Sequence, residues 1–262
     1  MQLIVREVWI VESKRKAFTL VELLVVISII ALLMSILMPA LSKVRESAKK
    51  IICQSNIKQQ LLACSLYMQN NNQCFPTLYD PSTGKPLNDR YEYVWGGGLG
   101  PWGVTGGGDW NDETKLLNPY VGEGKATLEK VLKLFVCPSD DGVTREVNRF
   151  YFTPTINYWT GSSYKYNARS NAFSPSLGLW EKKLLDVRNP RITILVTDES
   201  CNSYLRGFDP YWSAYWHNKK ELGWGNMGFV DGRVAYIQTS RKMNYQYGDD
   251  WTYICNQTGG SR

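Results

Sequence analysis

The 262-residue chain predicts an α+β fold, in which a long N-terminal helix packs on an antiparallel β-sheet domain. The helix is membrane-spanning in its first half and amphipathic in its second. Three features point there. An apolar run of 24 residues occupies Phe18 to Leu41. A helical pattern continues from it to Gln69 with no glycine. Beyond residue 70 the apolar stretches shorten and become strand-like, and two of them are joined by Asp231-Gly232, a dipeptide that favours a tight type I′ hairpin turn.

The apolar run, FTLVELLVVISIIALLMSILMPAL, carries one charge, Glu22. As a helix it would be about 36 Å long, enough to cross a bilayer. It is longer than a secretory signal core, which is about 7–15 residues and ends at a small-residue cleavage site. After it, Leu41, Val44, Ala48, Ile51 or Ile52, Ser55, Leu62 and Leu66 recur at three- and four-residue steps, with Lys43, Arg45, Lys49, Lys50 and Lys58 mostly between them. The run Gln69-Asn70-Asn71-Asn72 reads as the stop. One helix is therefore expected from about Phe18 to Gln69.

Two residues in the run need a reason. A charged side chain in hydrocarbon costs on the order of 2.5–3.5 kcal/mol near the helix centre and less toward its end. Glu22 reads either as a carboxyl tolerated at the membrane edge or as the partner of a cation at the same depth. A cut before Phe18 would create an α-amino group about one turn from Glu22, and a neighbouring subunit could offer its own amine to that carboxylate. Pro39 deletes a helical hydrogen bond and kinks or loosens the preceding turn, which a membrane helix tolerates.

Together these residues form a pattern. Lys14-Arg15-Lys16-Ala17 followed by Phe18-Thr19-Leu20-Val21-Glu22-Leu23-Leu24-Val25-Val26-Ile27 closely resembles the prepilin cleavage and methylation segment of type IV pilins and type II secretion pseudopilins. The resemblance implies that prepilin peptidase cuts between Ala17 and Phe18 and N-methylates Phe18. It puts Glu22 where such chains pair with a neighbour's N-terminus during assembly, and Pro39 where the helix breaks or loosens in the filament. Ala17 stands where the family usually has glycine. Lysines and arginines flank the span on both sides, so charge alone leaves its orientation open. The resemblance places the leader in the cytoplasm and the bulk of the chain outside. It divides the sequence into a leader (1–17), a transmembrane and assembly helix (18–41), its amphipathic continuation (42–69) and an extracytoplasmic globular β-rich domain (70–262). The implied partners are prepilin peptidase, other pilin or pseudopilin subunits, the inner-membrane assembly platform and the lipid bilayer. The implied location is the inner membrane, and then a periplasmic pseudopilus or a cell-surface filament.

The chain carries a formal charge of +6, but residues 71–262 hold 21 Lys+Arg and 20 Asp+Glu, so the excess lies in the leader and helix. Those cations read as a solvated helix face or as contacts to anionic headgroups. The nearly neutral domain gives no support for nucleic-acid binding. Strands are expected at Leu132–Val136, Phe150–Tyr158, Tyr164–Asn167, Ile192–Thr197, Met227–Val230 and Val234–Thr239. The segment from Trp95 through Trp102 to Trp110 is glycine-rich and lacks the GK[ST] of a phosphate loop. Buried, its three indoles would anchor a surface loop. Exposed, they could stack on sugar, which supports an alternative reading: a single-span, membrane-anchored carbohydrate-binding protein that does not polymerise.

A second resemblance covers most of the chain. Cys53-Gln54-Ser55-Asn56-Ile57-Lys58-Gln59, Cys137-Pro138-Ser139-Asp140, Ser163-Tyr164-Lys165-Tyr166-Asn167 and the tail His217…Asn226…Phe229-Val230-Asp231-Gly232-Arg233-Val234 are similar to one pilin-like subfamily. These are prepilin-type proteins with a processing-associated His…Asp-Gly domain, numerous in Planctomycetes, Verrucomicrobia and their relatives. Thirteen residues separate His217 from Asp231, wider than the family's spacing, which points to a short insertion around Lys219–Gly223.

Six cysteines stand at 53, 64, 74, 137, 201 and 255, and an exported domain permits disulfides. Cys53 and Cys64 lie about 16 Å apart along one helix, too far to bond each other. Each pairs across the domain or stays a buried thiol; Cys53–Cys137 and Cys201–Cys255 are two of the many pairings possible. With one histidine, no CxxC and no GxSxG, neither a metal centre nor a cofactor site is expected. A triad of His217, Asp231 and a Ser or Cys can be drawn, yet Asp231 reads better as a turn residue, so no enzyme is expected. The acidic pairs Asp140-Asp141 and Asp249-Asp250 lack a calcium-ligand spacing.

Overall fold

The computed structural model describes residues 19–77, 115–121, 133–140, 162–167, 178–179, 182–198, 216–218 and 223–238. The chain divides into two compact units, Met1–Arg45 and Glu46–Arg262. One helix, α1 (Leu20–Asn70), contributes to both, and its start and stop lie within two residues of those expected.

In the first unit every described side chain of α1 up to Arg45 is exposed. The segment is long and apolar enough to cross a membrane. Ser28 and Ser35 are satisfied within the helix, Ser28 Oγ donating to the Leu24 carbonyl and Ser35 Oγ to the Leu32 carbonyl, both at 2.7 Å. Neither hydroxyl would be left bare in hydrocarbon. In this single chain the helix runs through Pro39 without interruption. Proline removes one backbone donor, and the flanking helical bonds carry the segment across the gap.

In the second unit α1 buries Cys53, Asn56, Ile57, Gln60, Leu61, Ala63, Cys64 and Met68, a stripe at three- and four-residue steps. The apolar positions singled out in the sequence lie about half a turn round the helix, and Ile51, Ile52, Leu62 and Leu66 are exposed. The inward stripe was hidden from an apolar count because two of its members are amides. Asn56 Nδ2 donates to the Val136 carbonyl (3.1 Å) and Gln60 Nε2 to the Leu134 carbonyl (3.0 Å). These bonds explain why the part of the expected strand Leu132–Val136 that is described, residues 133–136, is not a strand. Lys133 and Leu134 are helical, and carbonyls a neighbouring strand would use are taken by α1. The helix ends where the asparagines begin. Asn72 and Gln73 adopt positive φ (53° and 60°), and Gln73 N–H donates back to the Met68 carbonyl at 2.8 Å.

Among the described residues the sheet has four antiparallel strands in chain order: β1 (Tyr164–Tyr166), β2 (Ile194–Asp198), β3 (Trp224–Phe229) and β4 (Val234–Gln238). Each falls on an expected strand. Phe150–Tyr158 lies outside the described residues, as do the Trp95–Trp110 loop, Cys201, Cys255 and the Asp249-Asp250 pair. Leu195 and Val196 of β2 join the helix-side core, while Ile194 packs with Met227 and Phe229 in a second cluster. The β3–β4 hairpin forms as expected but with another turn. Phe229 N–H bonds to the Arg233 carbonyl, leaving a three-residue loop in which Gly232 alone has positive φ, +85°. A type I′ turn needs positive φ at both central residues, and Asp231 does not supply it. Its carboxylate instead accepts the Arg233 N–H at 3.0 Å. Two helix lysines reach this hairpin, Lys58 Nζ donating to the Gly232 carbonyl (2.7 Å) and Lys50 Nζ lying 4.2 Å from the centre of the Tyr236 ring.

Helix and sheet pack closely at Gly228. A Cβ there would lie 2.7 Å from Ile57 Cγ2 and 2.9 Å from Val196 Cγ1. Gly228→Ala is therefore expected to lower stability by about 1–3 kcal/mol through overpacking, read as a shift in urea midpoint. A second prediction concerns pH. Burial pushes the Cys64 thiol and the Tyr164 and Tyr166 phenols well above their ordinary values of 9.0 and 10.0. Below those values both folded and unfolded chains keep the protons, and stability is intact. As pH rises past them only the unfolded chain ionises, so the urea midpoint should fall steadily above about pH 9.

Candidate functional site

Two places hold the residues singled out in the sequence. In the first unit, Ala17 and Phe18 lie outside the described residues, and Glu22 stands in the first turn of α1. Thr19 N–H and Thr19 Oγ both donate to Glu22 Oε2 at 2.8 Å, while Glu22 N–H donates to Thr19 Oγ at 3.2 Å. This is a capping box, Thr19 as N-cap and Glu22 three residues on. The Thr-x-x-Glu spacing of this box is legible in the sequence, though the reading of Glu22 as a lone charge passed over it. The box satisfies helix-start donors that hydrocarbon would leave bare. The carboxylate is exposed in the single chain.

The second place lies in the second unit, where α1, the 133–140 segment, β2, β3 and residues 216–218 converge. Cys53 and Cys137 form a disulfide, with Cα atoms 5.5 Å apart. It links α1 to a turn that Pro138 favours: Asp140 N–H donates to the Cys137 carbonyl across Pro138-Ser139 (2.9 Å). Asp140 Oδ2 accepts a 2.6 Å bond from Ser163 Oγ, just before β1. Pro138 is exposed, and Ser139 is buried.

His217 Nε2 approaches this disulfide, 3.5 Å from Cys137 Sγ. The same nitrogen lies 3.1 Å from Asp198 Oδ2 and 3.2 Å from Asn226 Nδ2. The His217 and Asp198 side chains are 1% and 0% exposed. Asp198 ends β2, and its Oδ2 also accepts the Asn226 N–H of β3 at 2.8 Å. Tyr236 of β4 donates from its hydroxyl to the His217 carbonyl and sets its ring edge-on to the imidazole. Neighbouring Trp216 is buried in the core.

This arrangement agrees with the reading of Asp231 as a turn residue and gives His217 a different carboxylate. The carboxylate of His217 is Asp198, not Asp231, which is exposed in the hairpin loop beside Gly232. A nucleophile–base–acid relay also needs the acid on one ring nitrogen and the nucleophile on the other. Here acid and sulfur meet the same nitrogen, and the sulfur is in a disulfide. Asp198 escaped the sequence reading because it follows four apolar strand residues, where a final acid looks like the strand's exit into solvent. Asn56 ties into the same region, donating to Tyr164 Oη as well as to the Val136 carbonyl.

With this geometry in view, two family models match the sequence. One, for the prokaryotic N-terminal methylation motif, matches residues 13–38. The other, described as a protein of unknown function (DUF1559), matches residues 42–178 and so includes Cys53, Cys137 and β1. No curated protein and no solved structure matches.

Proposed function

The chain belongs to the DUF1559 family, and from that premise we propose that it is a structural prepilin or pseudopilin subunit, held in the inner membrane by α1 and then polymerised through it. Prepilin peptidase would cut between Ala17 and Phe18 and methylate the new amine. The globular part would stand outside the membrane and decorate a pilus-like or pseudopilus filament raised by an inner-membrane platform.

The observation that carries this reading is the first turn of an otherwise bare apolar helix. The methylation motif covers residues 13–38, and its one acid within the apolar run, Glu22, is exposed with Oε2 already held by Thr19. Hydrocarbon penalises an unpaired carboxylate, so a neighbour's methylated amine brought to this depth would relieve the penalty and set the stagger between subunits. Packing of apolar helix faces would replace lipid contacts at little cost. Glu22→Ala is expected to leave cleavage intact and to reduce incorporation into filaments at least about tenfold, a change of about 1.4 kcal/mol or more in assembly. Sheared filaments and membranes, compared by immunoblot and N-terminal mass spectrometry, report both steps. Wild-type incorporation of the variant would sink the pairing mechanism, and a mature chain still beginning at Met1 would sink the prepilin reading itself.

A further inference from the structure

Three polar atoms crowd one imidazole nitrogen at the Cys53–Cys137 centre. Nε2 has one in-plane position to offer, and a neutral or protonated ring can serve only one of them well. Asn226 Oδ1, buried beside it, has no hydrogen-bond partner among the described residues. Such convergence on one point is poor hydrogen-bond design and good ligand design.

The geometry points to a divalent metal site, of the zinc type, in the dithiol form of this centre: Cys53 Sγ, Cys137 Sγ and His217 Nε2, with Asp198 Oδ2 as fourth ligand. The sulfur and nitrogen donors of Cys53, Cys137 and His217 all lie within 4.8 Å of one another. Bonds of about 2.0–2.3 Å at tetrahedral angles place ligand atoms about 3.3–3.8 Å apart. His217 Nε2 stands 3.5 Å from Cys137 Sγ, so the imidazole needs little movement, whereas the Asp198 carboxylate, 3.1 Å from Nε2 but outside the cluster of three, must swing toward the sulfurs to complete the set. The two sulfurs must part, and side-chain rotation across a Cα separation of 5.5 Å allows it. Two thiolates, an imidazole and one carboxylate form a donor set that suits zinc and excludes calcium or magnesium. The Asn226 N–H bond to Asp198 Oδ2 orients the carboxylate from the second shell.

Metal and disulfide are then alternative closures of one site, each tying α1 to the 137–140 turn. An external dithiol reduces the disulfide, giving two electrons and two protons to Cys53 and Cys137 and leaving as its own disulfide. Metal binding releases the two thiol protons to solvent. Before oxidation, the same closure would hold the freshly made domain together.

The test uses the full chain in detergent, reduced by a dithiol, freed of it anaerobically and titrated with Co²⁺. The expected result is one equivalent bound with a sulfur-to-cobalt charge-transfer band and tetrahedral d–d bands, displaced by Zn²⁺ and absent from the oxidised protein. His217→Ala should weaken binding more than about 100-fold, beyond the 10–100-fold cost of losing a second-shell partner. His217→Cys, which supplies another ligand, should restore it. The inference is overturned if the reduced protein shows no such band, if the band survives in a Cys53→Ser/Cys137→Ser double variant, or if His217→Ala binds as wild type. Loss in both His217 variants would mean that a ligand supplied at this position does not restore binding and would overturn it equally.

Discussion

Replacing Asp198 by alanine is expected to destabilise the globular unit by about 3–5 kcal/mol, the cost of breaking a buried pair by removing one partner. The carboxylate is fully buried at the end of β2, bonded to the Asn226 N–H of β3 at 2.8 Å and to His217 Nε2 at 3.1 Å. Alanine returns neither bond, and water cannot replace them without opening the sheet. A buried N–H and a buried imidazole nitrogen are both left without an acceptor. The loss is read from urea unfolding of the full chain in detergent, followed by tryptophan emission, for which buried Trp216 beside His217 is a local reporter. Asp198→Asn keeps the shape and one acceptor oxygen, so it should cost clearly less. Equal losses would mean that charge, rather than the acceptor, is what the site requires. A change below about 1 kcal/mol in the alanine variant would show that Asp198 does not hold β2, β3 and the His217 segment together.

Cutting the Cys53–Cys137 link is expected to cost about 2–4 kcal/mol, by reduction or by Cys137→Ala. The bond closes a loop of 84 residues in sequence, and long loops restrict the unfolded chain most. Reduction should therefore move the urea midpoint of wild type and leave Cys137→Ala unmoved at its already lowered value. An equal shift on reduction in both would place the stabilising bond elsewhere. Cys64 is a free, buried thiol in the described chain and should resist alkylation until the unit unfolds, whereas half-buried Cys74 should react earlier.

Much of the molecule was legible in order along the chain. A long apolar run with one acid is a local property: helix length, hydrocarbon thickness and the cost of a lone charge need no tertiary partner to be argued. The stop at the asparagines, four of the six expected strands and the hairpin at Asp231-Gly232 are local for the same reason, since turn chemistry and period-2 patterning act between near neighbours. Other features depended on contacts the sequence does not order. The inward face of α1 could not be found by counting apolar residues, because Asn56 and Gln60 belong to it through carbonyls some 74 to 80 residues away. Leu132–Val136 read as a strand because a short apolar run looks alike in either geometry, and the claim of α1 on its carbonyls decided the matter. At the candidate centre the sequence supplied Cys53, Cys137, His217 and Asn226 as separate points. The acid it set beside His217, and then rejected as a turn residue, was Asp231 of the same motif, while Asp198 lay nineteen residues upstream of His217 on another strand. Antiparallel pairing of β2 with β3 brings Asp198 to Asn226, and the Cys53–Cys137 bond brings the 137 turn to α1. The sequence alone therefore determined that this chain carries a helix long and apolar enough to cross a membrane, with one acid in its first turn. Only tertiary structure decided which side chains surround His217, because distances across a sheet and a disulfide are set by pairing and not by spacing along the chain.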